Sequence, residues 1–232
     1  MIRRDYILRM LAEFFEVLSR IRGLQKGQLW DQARQLTDQE FHRLVGLGAA
    51  AVAQLSETEL LARVIQGETS LAVREKTLIL ATLLKEAGEI AAGQEHYIES
   101  RAYHLKGLDL LLGVLAREDI FEFTEFVPRV EAFVQALSDG PLPLATQAML
   151  MQQYERSGAF GKAEDILFSM MEEAPQNASL LDFGIAFYQR LRSQSDDALA
   201  AGNLPRGELE AALAQLVARK AATPPAAVGE VS

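Results

Sequence analysis

The stretch YERSGAFGKAED, Tyr154 to Asp165, places two glycines and a lysine in the order G-x-x-G-K. A phosphate loop requires G-x-x-x-x-G-K-[ST] between a strand and a helix, so that backbone amides and a hydroxyl converge on phosphate and magnesium. Here Arg156 stands in place of the first glycine and Ala163 in place of the hydroxyl residue. The spacing reads as a turn between two helices, with Gly158 reversing the chain. Other reactive constellations are equally sparse. Three histidines, His42, His96 and His104, are available for proton transfer or zinc binding. His96 and Glu99 lie three apart, and Glu95 and Glu99 four apart, so each pair shares a helix face. A helix-bundle dicarboxylate metal site uses Glu-x-x-His on two helices, and neither that motif nor H-E-x-x-H occurs. There is no cysteine, which excludes disulfides, thiolate catalysis and Cys-ligated zinc. No G-x-S-x-G or G-x-G-x-x-G is present, and Asp196–Asp197 and Glu172–Glu173 read as solvated carboxylates near helix ends. The expectation is a protein that is not an enzyme, with no catalytic, cofactor-binding or metal residues and no cofactor.

The elements that carry these residues are helices. Tyr6, Ile7, Met10, Leu11, Phe14, Phe15, Leu18 and Ile21 form one apolar stripe at steps of one, three and four, and strand alternation is nearly absent. The fold class is all-α. Gly27 is expected to end the first helix, and a second runs over 29–45. Ser56 opens a capping box with Glu59, and Gly67 closes the helix after it. Helices are predicted over 70–92 and 95–116, then one with Pro128 in its first turn reaching Leu137. SDGPLPL, with one glycine and two prolines, is the strongest internal break. Beyond it come 144–157, 161–173 and 178–192. SQSDDALAAGN reads as a looser connection, and Asn203 with Pro205 as the cap and first turn of a last helix to about Lys220. About nine or ten helices result. They form a single domain over 1–220 with a sub-boundary near 138–143, and then a disordered tail at 221–232.

In LMQQYERSGAFGKAEDILFSMMEEAP, Leu150 and Tyr154 share a helix face, Gly158 ends that helix, Ala163 comes nine residues after Tyr154, and Pro175 stops the next helix. This pattern resembles the tetratricopeptide repeat, although Met151 and Met170 replace its usual small residues. A weaker copy lies over LLKEAGEIAAGQEHYIESRAYHLKGLDLL, with Ala87, Gly88, Ser100, His104 and Gly107 at matching positions, but Glu95 in place of the turn glycine and Ala91 in place of the aromatic. LSRIRGLQKGQLWDQA, with Trp30 and Ala33, and the helix carrying Gly184 and Phe187 are more degenerate. The start MIRRDYILRMLAEFFEVL together with LPLATQ…YERSGAFGKAEDILF also resembles an uncharacterised bacterial family of tetratricopeptide-like proteins, over most of the chain to about Glu173. The resemblance implies antiparallel helical hairpins stacked as a TPR-like α-solenoid, and it carries no catalytic residues with it.

Stacked hairpins offer a groove along the first helix of each pair. The repeat frame places Lys85, Glu86 and Glu89 there from one pair, Met149, Gln152, Glu155 and Arg156 from the next, and Tyr188 beyond. A mixed polar groove of this kind suits a peptide or protein partner, and self-association as a homodimer is carried beside it. Phe121, Phe123 and Phe126 alternate within IFEFTEFVPRVEAF, a pattern that one helix cannot bury, and form a second docking expectation. Net charge is −9 with a pI near 5.0, which argues against nucleic acid as a partner. The basic start MIRRDYILR, with Arg20, Arg22 and Lys26, reads as a solvated helix face. LLLGVLA is far short of the roughly 20 apolar residues that a membrane helix needs, and charges interrupt any leader-like core near the start. A cytoplasmic protein-interaction scaffold is the leading expectation, and a helical small-molecule sensor or enzyme accessory domain with a pocket between helices is the alternative.

Overall fold

The computed structural model describes residues 2–66, 68–117, 125–175 and 177–222. Among the described residues the chain is helical with no strand. The first six helices are α1 (Ile2–Lys26), α2 (Trp30–Val45), α3 (Ala49–Gln54), α4 (Glu57–Ile65), α5 (Ser70–Gly93) and α6 (Tyr97–Leu115). After them come α7 (Val130–Ala136), α8 (Leu144–Arg156), α9 (Phe160–Glu173), α10 (Ala178–Leu191), α11 (Asp196–Ala201) and α12 (Arg206–Ala222). The described residues thus hold twelve helices rather than nine or ten, because two segments read as connections are short helices. In α3 the first amide, Ala49 N–H, donates to Asp38 Oδ1 at 2.8 Å, and in α11 the Ser195 hydroxyl accepts from Ala198 N–H at 3.2 Å. Each is six residues long, too short to display an apolar period; α11 offers only its Ser195 cap as a local signal, and α3 has none, since Asp38 is eleven residues away. Gly67 and residues 223–232, where a helix stop and a disordered tail are expected, lie outside the described residues.

The capping box forms as expected: Ser56 Oγ accepts from Glu59 N–H at 3.2 Å, and Glu59 Oε2 accepts from Ser56 N–H at 2.9 Å. That hydroxyl and amide hold the Glu59 carboxyl below its usual range. Three local readings are corrected. Pro128 lies just outside α7, whose N-cap is Arg129. Gln28, not Gly27, takes the left-handed backbone after α1, with φ 56°. Asn203, at φ 58°, closes α11 instead of opening α12, whose first free amides are accepted by the Pro205 carbonyl.

These corrections expose a recurrent turn. At Gln28, Glu95, Gly158 and Asn203 a left-handed residue comes after a helix. In each case the next residue's amide reaches back five residues, as in Leu29 to Leu24 O at 2.9 Å, His96 to Ala91 O at 2.8 Å, Ala159 to Tyr154 O at 2.9 Å and Leu204 to Leu199 O at 3.0 Å. This is the Schellman closure, which satisfies the carbonyls that a helix end leaves without partners. In three of the four the residue after the left-handed one adopts nearly the same torsions: −87°/61° at Leu29, −89°/63° at His96 and −86°/61° at Ala159.

The chain forms two compact units that divide between Leu142 and Pro143. In the first, α5 is central and packs on α1, α2, α4 and α6. It is buried continuously from Thr77 to Leu84, as expected of a helix that is apolar all round. Its crossing with α6 needs small residues. A Cβ on Gly88 would collide with the His104 ring, and one on Gly107 would lie 2.6 Å from the Phe133 ring. In the second unit α8 pairs with α9 and α10 with α12. Gly161 N–H donates to Gly202 O at 2.8 Å, so the turn after α8 sits directly on the turn after α11, and Ala163 is fully buried.

Candidate functional site

The densest polar network outside the core joins the starts of α2 and α6 to the end of α5. Arg34 grips Glu99 with both guanidinium ends, Nη2 to Oε1 at 2.6 Å and Nη1 to Oε2 at 3.1 Å. The Tyr103 hydroxyl donates to Glu99 Oε1 at 2.8 Å. Arg34 Nη1 also donates to Gln94 Oε1 at 3.3 Å, and Gln94 Nε2 to Asp31 Oδ1 at 2.8 Å. His96 Nδ1 stands 3.6 Å from Glu99 Oε2. Local folding sets this arrangement. The Schellman turn at Glu95 ends α5 and starts α6 two residues later, which brings Gln94, His96 and Glu99 onto one side facing Arg34.

Burial alone would raise the Glu99 carboxyl, but the Tyr103 hydroxyl and the Arg34 guanidinium together hold it below its usual range. Burial and the same carboxylate push the Tyr103 phenol up, so it stays a protonated donor. Each polar group has its partner within the network. The arrangement fixes the helices and presents a shaped surface, and no base is aimed at an open position.

Beside this network lies a cleft of about 600 Å³ between α3 and the start of α6. Ala50, Ala53 and Ala102 line it, with Glu95, Tyr97 and Ile98 at its edge. Tyr97 is 67% exposed and Ile98 91% exposed. A smaller cavity of about 50 Å³ shares Ala50 and Tyr103 with the cleft and has Ala87, Ile90 and Ala91 of α5 on its wall. Among the described residues no three His, Asp or Glu side chains converge as metal ligands, and no helix is long and apolar enough to cross a membrane.

Residues 1–221 match the profile of DUF6483, a family of unknown function. The chain belongs to the DUF6483 family. No curated protein and no solved structure matches it. The DUF6483 match runs through both compact units.

The groove residues expected of this DUF6483 chain divide between its two units. In the first, Lys85 pairs with Glu89 at 2.6 Å on the surface of α5. Glu86 has no exposed surface; Arg22 Nε donates to its Oε1 at 2.9 Å, and Gln25 binds its backbone carbonyl. Glu86 is therefore an interior ion-pair residue and not part of a groove, since α5 is covered on that face by α1. In the second unit Met149 is half-buried and Gln152 and Arg156 are exposed on α8. Glu155 accepts two bonds from Arg190, at 2.7 and 2.8 Å. Tyr188 is fully buried and its hydroxyl donates to Glu164 at 2.6 Å, which removes it from the groove as well. Burial raises the Glu164 carboxyl despite that bond. Phe126 is also interior, meeting Phe14 and Phe15 edge-on at 5.4 and 5.3 Å, while Phe121 and Phe123 lie outside the described residues.

Sequence reasoning paired His96 and Glu95 with Glu99 on one helix face and tested that only as a metal site; Glu95 instead lies outside α6, in the left-handed turn before it. The same reasoning missed Arg34, 65 positions from Glu99, because no local period links them. The exposed pair Tyr97–Ile98 carried a signal in principle: two large apolar residues in a helix's first turn, directly after three polar ones.

Proposed function

We propose that this DUF6483 chain is a non-catalytic, TPR-like scaffold of stacked helical hairpins that binds a peptide or protein partner in the cytoplasm. One observation carries the reading. The turns at Gln28, Glu95 and Gly158 share their geometry, and five residues after each comes a buried small residue: Ala33, Ser100 and Ala163. A repeated turn with a small residue at the helix crossing is what a hairpin repeat requires, because axes about 8–10 Å apart leave room for little else. Surplus surface in such repeats serves binding. Panning a displayed library of natural protein segments against the purified chain tests this: a shared motif should be enriched. No enrichment over a scrambled library, from a chain that is also monomeric by light scattering, overturns it.

The cleft beside α3 favours a second reading, a pocket for a small molecule. Its size falls within the roughly 300–1,000 Å³ of ligand sites, and Glu99 and Tyr103 converge on its alanine walls. A thermal-shift screen with small metabolites separates the two, since only this reading expects a stabilising hit.

A further inference from the structure

We infer that the cleft between α3 and the first turn of α6 is a docking site for a short segment of a partner protein that presents an aliphatic or aromatic side chain next to a lysine or arginine. The inference rests on the scaffold reading and gives it a site and a partner chemistry.

The apolar half of the recognition comes from Ile98 and Tyr97. Exposure of 91% and 67% on adjacent residues sets two large apolar side chains side by side in water at the cleft. Neither can turn inward, because Glu99, Ser100 and Tyr103 on the same helix are committed to the network and core. Arg34 holds the first turn of α6 in place through Glu99, so the two side chains sit on a fixed base and a partner need not order them on binding. Ala50, Ala53 and Ala102 leave a shallow apolar floor beside them.

The charged half comes from Glu95. The nearby cation Arg34 is already engaged by Glu99. No ion-pair partner of Glu95 lies among the described residues, and its side chain is exposed at the cleft edge. Its backbone is also left-handed, φ 64°, where a residue with a Cβ is strained and glycine is not. The equivalent turns have Gly158 at φ 76°, Gln28 at φ 56° and Asn203 at φ 58°. The cleft thus carries at its edge an exposed carboxylate with no ion-pair partner among the described residues, where a partner's cation can meet it. The cleft is open rather than enclosed, which suits a segment laid across it better than an engulfed small molecule.

Three labelled octapeptides test this by fluorescence anisotropy: leucine alternating with lysine, leucine with glutamate, and glycine with lysine. The leucine–lysine peptide should bind saturably and the other two at least tenfold more weakly. Ile98→Asp and Glu95→Gly should each weaken that binding about tenfold or more. Glu95→Gly should at the same time raise the melting midpoint by about 1–4 °C, since the strain is relieved. Equal binding of the glycine–lysine peptide would reduce the effect to the chain's net negative charge and overturn the inference. Binding unaffected by Ile98→Asp would overturn the site while leaving the scaffold reading intact. Self-association abolished by Ile98→Asp would make a second copy the occupant, and a small metabolite displaced by that substitution would make it a ligand pocket; either result overturns the partner proposed.

Discussion

His104 shows how one side chain can be committed by its neighbours. The imidazole packs as an aromatic ring, lying against Gly88 and edge-on to Phe133 at 6.3 Å. Nδ1 donates to the Ser100 carbonyl at 2.9 Å. Burial lowers its proton affinity, Lys85 adds to that, and the Ser100 bond and Glu86 oppose it. The folded value lies below the unfolded one near 6.5, so the unfolded chain binds more protons in acid. Stability from this group is therefore present above about pH 6.5 and lost as the pH falls toward the folded value. Denaturant midpoints measured from pH 7 to 5 should decline, and His104→Gln should flatten that decline. An unchanged slope in the variant would assign the effect elsewhere.

At the scale of the element, helices and caps were legible because they depend on neighbours within about four residues. The Ser56–Glu59 box, the α8–α9 pair and the Gly158 turn stand where the sequence put them. Less legible was which residue turns left-handed when no glycine is in place. Gln28, Glu95 and Asn203 all do so, because closing the next helix against its predecessor outweighs a local penalty of about 1 kcal/mol. The short helices α3 and α11 were lost for a related reason: six residues give no period, and only α11 has a side-chain cap. Helix crossings belong to this scale too. Ala163 is fully buried, five residues beyond the Gly158 turn, so Ala163→Phe should overpack α8 against α9 and cost about 1–3 kcal/mol. Chemical denaturation of the variant beside the parent measures it, and unchanged stability would mean that the crossing lies elsewhere.

For the whole molecule, the division between Leu142 and Pro143 separates two cores. Arg101 donates to the Leu137 carbonyl at 3.1 Å and to the Pro141 carbonyl at 2.5 Å, so the end of the first unit is tied back onto α6. A chain truncated after Leu142 should keep its helical circular dichroism and melt cooperatively, since α5 draws its packing from α1, α2, α4 and α6. A non-cooperative melt would show that this core depends on the residues beyond Leu142.

From the sequence alone came the all-α class, the lack of cysteine in the sequence, the misfit of YERSGAFGKAED to a phosphate loop and the helix pair on either side of Gly158. Composition and spacing within a few turns suffice for these, because helix formation and capping are local. Only the tertiary structure decided that Glu86 and Tyr188 are interior, that Glu95 is strained and that Arg34 clamps Glu99 beside an exposed Tyr97–Ile98 edge. Those outcomes depend on which helix covers which face, and residues some 65 positions apart leave no local trace of meeting.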